Sequence, residues 1–195
     1  MDDWQPKTEL NVDEKRSFEK ARLEYCSKLY NREMQRKDLL EKKAQFYLSL
    51  LTLFTGALFF KLDFFQSLQK IISNHTVPQI LVRVLYTSIP LVGISILVAL
   101  IAILQSIKIK TYQDPSPKKV LDEWFRKPTL TYEDELYWLR DISLRYAVAW
   151  EANHKVNNKK ARWINIASYS VIFSVIFVAV FLGISSYLFI YFPET

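Results

Sequence analysis

Two long stretches of this chain carry no Asp, Glu, Lys or Arg: residues 84–107, 24 positions, and residues 163–193, 31 positions. Each exceeds the roughly 20 apolar residues that an α-helix needs to cross ~30 Å of hydrocarbon. A third run, residues 44–60, has 17 positions. Lys42, Lys43 and Lys61 flank it, and their ammonium groups can snorkel outward while their methylene stems stay against apolar surface. The sequence therefore predicts an all-α membrane protein with three transmembrane helices. The first of these is not a cleaved leader, because a charged segment of more than 40 residues precedes it.

Orientation follows from where the positive charge lies. Lys and Arg number 11 in residues 1–43, 3 in 61–83 and 12 in 108–162, with none after Arg162. Lys and Arg concentrate on the cytoplasmic side of a membrane protein. Residues 1–43 and 108–162 are accordingly expected inside, the connection between the first two spans outside as a short loop, and the C-terminal end outside. Four segments result: a cytoplasmic charged helix (1–43), a two-span hairpin (44–107), a cytoplasmic helical segment (108–162), and a third span with the outer C-terminus (163–195).

The cytoplasmic parts read as long helical stalks. Residues 12–43 hold no Gly or Pro and are rich in strong helix formers, so one helix is expected to run on into the first span. Phe18, Arg22, Tyr25, Leu29, Arg32, Arg36, Leu39 and Lys43 recur along it at steps of three and four, the spacing of a coiled-coil seam. A short helix capped by Ser116 and stopped by Pro128 is expected next. A second long helix is expected from Tyr132 to about Phe192, since neither Gly nor Pro interrupts it before Gly183. Leu139, Ile142, Tyr146, Ala149 and Val156 give it an apolar face broken by Asn153. Narrow stalks with half-apolar faces need partners, which predicts a homo-oligomer.

Enzyme chemistry has no foothold here. The glycines, Gly56, Gly93 and Gly183, fall one in each expected span, leaving none for a phosphate-cradling loop in the cytoplasmic parts. Cys26 is the single cysteine, and His75 and His154 stand far apart, so neither a disulfide framework nor a zinc site is expected. No catalytic residue, metal or cofactor is predicted.

Two sets of residues are candidates for function. On the first span Gln45, Ser49, Thr52 and Gly56 form one narrow stripe. It serves either close helix packing through small residues or, in an oligomer, the lining of a water-filled pore. Ser170, Ser174 and Ser185 share a face of the last span beside a ridge of Phe173, Phe177 and Phe181, and Pro90 is expected to kink the second. Where the chain meets the membrane, Asn153, Lys155, Asn157, Lys159, Lys160 and Arg162 cluster with Asn158. One reading is an anchor whose cations touch lipid phosphates. The other is a collar for an anionic ligand, a nucleotide or short single-stranded oligonucleotide, because a lipid anchor does not require asparagines, which are poor helix formers. Arg22, Tyr25, Arg32 and Arg36 offer the same chemistry on the N-terminal helix, cations for phosphates and a ring for stacking.

A charged N-terminal helix, the paired spans "FYLSLLTLFTGALFF" and "YTSIPLVGISILVALIAIL", and a long helix bearing "RYAVAWEANHKVNNKKARW" together resemble the SLATT-type membrane effectors of prokaryotic defence systems. The long helix is also similar to the membrane module of Pycsar effectors, and the families of this layout include the membrane effector of the Hailong system. The resemblance covers most of the chain in layout, and the third span departs from the two that the SLATT name denotes. It implies a bacterial inner-membrane protein that permeabilises the membrane in response to a nucleotide signal from an associated nucleotidyltransferase. A pore or ion-channel effector is thus the leading expectation. A non-conducting scaffold recruiting a protein partner through its stalk is the alternative.

Overall fold

A computed structural model describes residues 11–59, 62–74, 77–109, 112–115 and 131–192. Four α-helices make up nearly all of these residues: α1 (Val12–Phe59), α2 (Leu62–Asn74), α3 (Gln79–Lys108) and α4 (Tyr132–Tyr191). There is no strand among the described residues. The expected short helix after Ser116 and residues 193–195 fall outside what is described.

The two long helices start where local chemistry tells them to. Asp13 and Glu14 sit in the first turn of α1, at the positive end of its dipole, and the Glu14 carboxylate accepts the Asn11 backbone N–H at 2.9 Å. At the head of α4, Thr131 and Asp134 cap each other: each backbone N–H donates to the other's side chain, both at 3.2 Å. From there α4 runs 60 residues, as the absence of breakers predicts. α3 passes through Pro90 as one helix.

The chain divides into two compact units. The first contains residues 1–38 and 110–158. Here α1 and α4 run parallel, and their bonded partners lie 119 to 124 positions apart, from Arg16 with Glu135 to Arg36 with Asn158. α4 buries Leu139, Ile142, Ala149 and Asn153, much the face expected from sequence. The seam of α1 is displaced from its expected track. Phe18 and Tyr25 are 61% and 63% exposed, whereas Glu19, Leu23, Cys26, Tyr30 and Glu33 are the residues turned inward. Both tracks have coiled-coil spacing, and the partner helix selects the one that holds Tyr30, packed edge-on against Tyr146 at 5.5 Å, and Glu33.

The second unit contains residues 39–109 and 159–195. One core joins Leu40, Ala44 and Leu51 of α1 to Ala99, Ala102 and Ile103 of α3 and Ile164, Ala167 and Val171 of α4. Alanines at the contacts let the three backbones approach closely, as in membrane helix packing. Tyr47 donates its hydroxyl to Ser168 at 3.0 Å across α1 and α4. A second core joins Leu68 and Ile71 of α2 to Leu85 of α3 and to Phe181 and Leu188 of α4. α2 occupies part of the connection expected to be a loop. Leu68, Ile71 and Ile72 stand at helical spacing, and burying them against α3 and α4 stabilises a helix too short to persist alone.

Among the described residues two helices, α3 and α4, are long and apolar enough to cross a membrane, not the three expected. The charge-free part of α1 that is described covers residues 44–59, and a window of the ~18 to 20 positions a span requires takes in Lys42 and Lys43. In both qualifying helices only 28% of the most apolar stretch is buried within the chain, unlike the core helix of a soluble protein. Leu97, Ile101, Leu104, Ile172 and Ile176 all face outward. The hydroxyls of Ser88, Ser106, Ser174 and Ser185 are turned inward instead.

Candidate functional site

The candidate ligand residues fall into both units. Arg22, Tyr25, Arg32, Arg36, Asn153, Lys155 and Asn157 belong to the first, and Lys159, Lys160 and Arg162 to the second. Within the first unit the structure separates the asparagines sharply from the cations.

Asn153 and Asn157 are fully buried, and neighbouring groups take up their amides. The Asn153 side chain reads the backbone of Gln113 as a second strand would: its Oδ1 accepts the Gln113 N–H at 2.8 Å and its Nδ2 donates to the Gln113 carbonyl at 3.0 Å. Asn157 accepts from the Tyr112 hydroxyl at 2.7 Å and donates to both the carbonyl and the carboxylate of Glu33, at 2.8 Å each. Two successive turns of α4 therefore fasten residues 112–113, and the second of them fastens α1 as well. Asparagine suits these positions because one side-chain amide presents an acceptor and two donor hydrogens on a short, planar group: Asn153 uses it on a backbone N–H and C=O, and Asn157 on a phenol and two acceptors. The interruption noted in the apolar face of α4 is thus an internal polar joint.

Glu33 is the hub of this joint. His154 Nδ1 lies 2.9 Å from Oε1 of Glu33, and Asn158 lies 3.0 Å from the other ring nitrogen of His154. Arg36 donates to Asn158 at 2.8 Å and lies 3.6 Å from the Glu33 carboxylate. Burial of Glu33 opposes its ionisation, but the hydrogen bonds from Asn157 and His154 and the charge of Arg36 outweigh it, holding the carboxyl below its usual range. Lys37 lies over the Tyr112 ring, 4.8 Å from its centre, closing the joint on another side. Sequence reading found the asparagines and Arg36 but missed Glu33, Tyr112 and Gln113. One signal was present: Glu33 falls on the same seven-residue track as Leu40 and Tyr47, which also pack inward.

The remaining cations are distributed differently. Arg32 is exposed, Lys155 is exposed and paired with Glu151 at 2.6 Å, and Arg22 lies 3.7 Å from Glu19. In the second unit Lys159 and Arg162 are exposed, as are Lys42 and Lys43 of α1 and Lys108 at the end of α3. Lys160 is only 3% exposed and donates to Glu41 at 2.9 Å, so it joins α4 to α1 rather than offering its charge outward. Among the described residues no three His, Cys, Asp or Glu side chains converge to hold a metal ion.

The first-span stripe is on the outside of the chain. Gln45, Ser49 and Thr52 are exposed and Gly56 partly so. Ser49 and Thr52 donate to the carbonyls of Gln45 and Leu48 one turn back, at 3.1 and 2.9 Å, so these hydroxyls are satisfied within α1. A Cβ added at Gly56 would meet nothing within 4 Å. Ser174 and Ser185 of α4 are buried with Phe181, whereas Phe173 faces outward and stacks on Phe177 at 6.5 Å.

Comparisons with protein-family models, with curated proteins and with solved structures find no match.

Proposed function

We propose that this chain is an inner-membrane pore or ion-channel effector, built from several copies and gated by an anionic signal at its basic cytoplasmic face. The observation that carries the reading is the outward-facing surface of the second unit. Two long apolar helices expose most of their apolar side chains, which suits a hydrocarbon surround. The polar stripe of Gln45, Ser49 and Thr52 also faces outward, and in an oligomer it would line a path for water. The outer end of α1 accompanies the two spans in this reading through its core contacts with α3 and α4.

Exposed Lys42, Lys43, Lys108, Lys159 and Arg162 support an orientation with the positive end of the unit inside the cell, the N-terminus inside and the C-terminus outside. A nucleotide or short single-stranded oligonucleotide from an associated nucleotidyltransferase would meet the exposed cations Lys159 and Arg162 of the second unit. The defence role itself rests on the resemblance of the sequence to SLATT-type and Pycsar-like effectors.

A second reading, a non-conducting scaffold, is favoured by a groove of about 400 Å³ in the first unit, where Leu23, Trp138, Ile142 and Tyr146 offer apolar walls to a partner helix. Conductance separates the two. Purified protein in planar bilayers is expected to carry current that changes on adding oligonucleotide and changes again in Thr52→Leu. Protein that inserts and never conducts, with or without such ligands, would leave the scaffold standing.

A further inference from the structure

The outer faces of α1 and α4 in the first unit carry matching patterns. On α1 the exposed residues Phe18, Tyr25 and Arg32 repeat every seven positions, with Arg22 and half-buried Leu29 between them. On α4, Tyr137 (70% exposed), Leu144 (45%) and Val148 (54%) form a similar stripe, with Asp141 and Glu151 beside them. Phe18 and Tyr137 also border one open groove of about 410 Å³.

Level matters as much as composition. Arg16 and Glu135 are bonded side by side, 119 positions apart, so a residue of α1 stands level with the residue of α4 about that far along. At the same separation Phe18 is level with Tyr137, Tyr25 with Leu144 and Leu29 with Val148. Arg22 is then level with Asp141, and Arg32 with Glu151. Every apolar position of one stripe meets an apolar position of the other, and each arginine meets an acid. Two copies standing the same way up in one membrane keep these levels aligned, so this step rests on the membrane reading above. An α1 stripe set against another α1 stripe would instead bring Arg22 to Arg22 and Arg32 to Arg32.

We propose that a second copy of this chain covers the outer stripe of α1, seating its α4 stripe there in parallel. Asp141 and Glu151 have exposed or half-exposed partners on their own helix, Arg145 at 2.7 Å and Lys155 at 2.6 Å. Surface pairs of this kind exchange at little cost, so both acids are available to the arginines of a neighbour. Arg22, Tyr25 and Arg32 then serve assembly, and ligand chemistry is left to the cations of α4.

The test uses two full-length chains with different tags, both Cys26→Ser, one carrying Tyr25→Cys and the other Leu144→Cys, co-expressed and oxidised in isolated membranes. A disulfide-linked product bearing both tags is expected. Arg32→Glu should lower its yield roughly three- to ten-fold by setting like charges together, and Glu151→Arg in the other chain should restore it. Cross-linking of the Tyr25→Cys chain to itself with no mixed product overturns the proposal, as does the absence of any product from chains that are in the membrane. Chains found in the soluble fraction that still give the mixed product would overturn the membrane reading and keep the interface.

Discussion

Asn157 of α4 donates one amide hydrogen to the backbone carbonyl of Glu33 and one to its carboxylate, at 2.8 Å each, while its own oxygen accepts from Tyr112. One side chain therefore ties together three separate parts of the first unit. A buried amide so engaged is costly to remove, because its partners lose their bonds without gaining water.

Asn157→Ala is expected to destabilise the protein by about 1 to 3 kcal/mol, the cost of leaving buried polar groups unsatisfied. Asn158→Ala, on the exposed side of the same helix, should cost well under half of that. Thermal unfolding of the two variants in detergent checks the contrast. Equal loss from both would mean that burial of the Asn157 amide adds nothing to the joint.

Stability should fall in acid, and Glu33 should account for part of the fall. Its carboxyl is held below the usual range in the folded chain, so its contribution is fully present above the ordinary carboxylate pKa of about 4.3. It is lost as pH drops through the lower folded value, since protonation ends its role as acceptor and ion partner. Glu33→Gln should flatten the stability profile below pH ~4.3 relative to the parent, whereas at neutral pH it should simply be less stable.

Asn153→Ala should release the Gln113 backbone while Tyr112 stays bonded to Asn157. The Gln113 N–H donates to Asn153 and has no such partner in the variant. Faster amide hydrogen exchange at Gln113, with α4 protection retained beyond the next turn, is the expected readout. Unchanged exchange at Gln113 would show that other contacts hold this segment.

Ala167→Leu should disrupt the second unit. Ala167 is fully buried in the core that joins α1, α3 and α4, and added methylenes there must push the helices apart. Overpacking of this kind costs about 1 to 3 kcal/mol. Ile166→Leu, one position away and facing outward, should leave the melting temperature within a degree or two of the parent.

What could be read from sequence was what depends on neighbours along the chain. Thr131 and Asp134 announce the start of α4, the absence of breakers carries it to Tyr191, and uncharged runs mark its outer part and α3 as helices fit for lipid. These are local preferences of the backbone and summed transfer energies, and they hold whatever packs alongside.

The tertiary structure decided rotation and partnership. Phe18 and Tyr30 both lie on tracks of coiled-coil spacing, yet Tyr30 turns inward against α4 while Phe18 is exposed, because contact with a neighbouring helix sets the phase and periodicity alone does not. The short amphipathic helix α2 likewise depends on Leu85, Phe181 and Leu188 to cover its apolar face. The asparagines of α4 resembled a ligand collar in sequence because an amide beside cations has the same composition whether it points outward or inward. Burial against Gln113 and Glu33 makes Asn153 and Asn157 internal bolts, and leaves the exposed cations Lys155, Lys159 and Arg162 to face the outside.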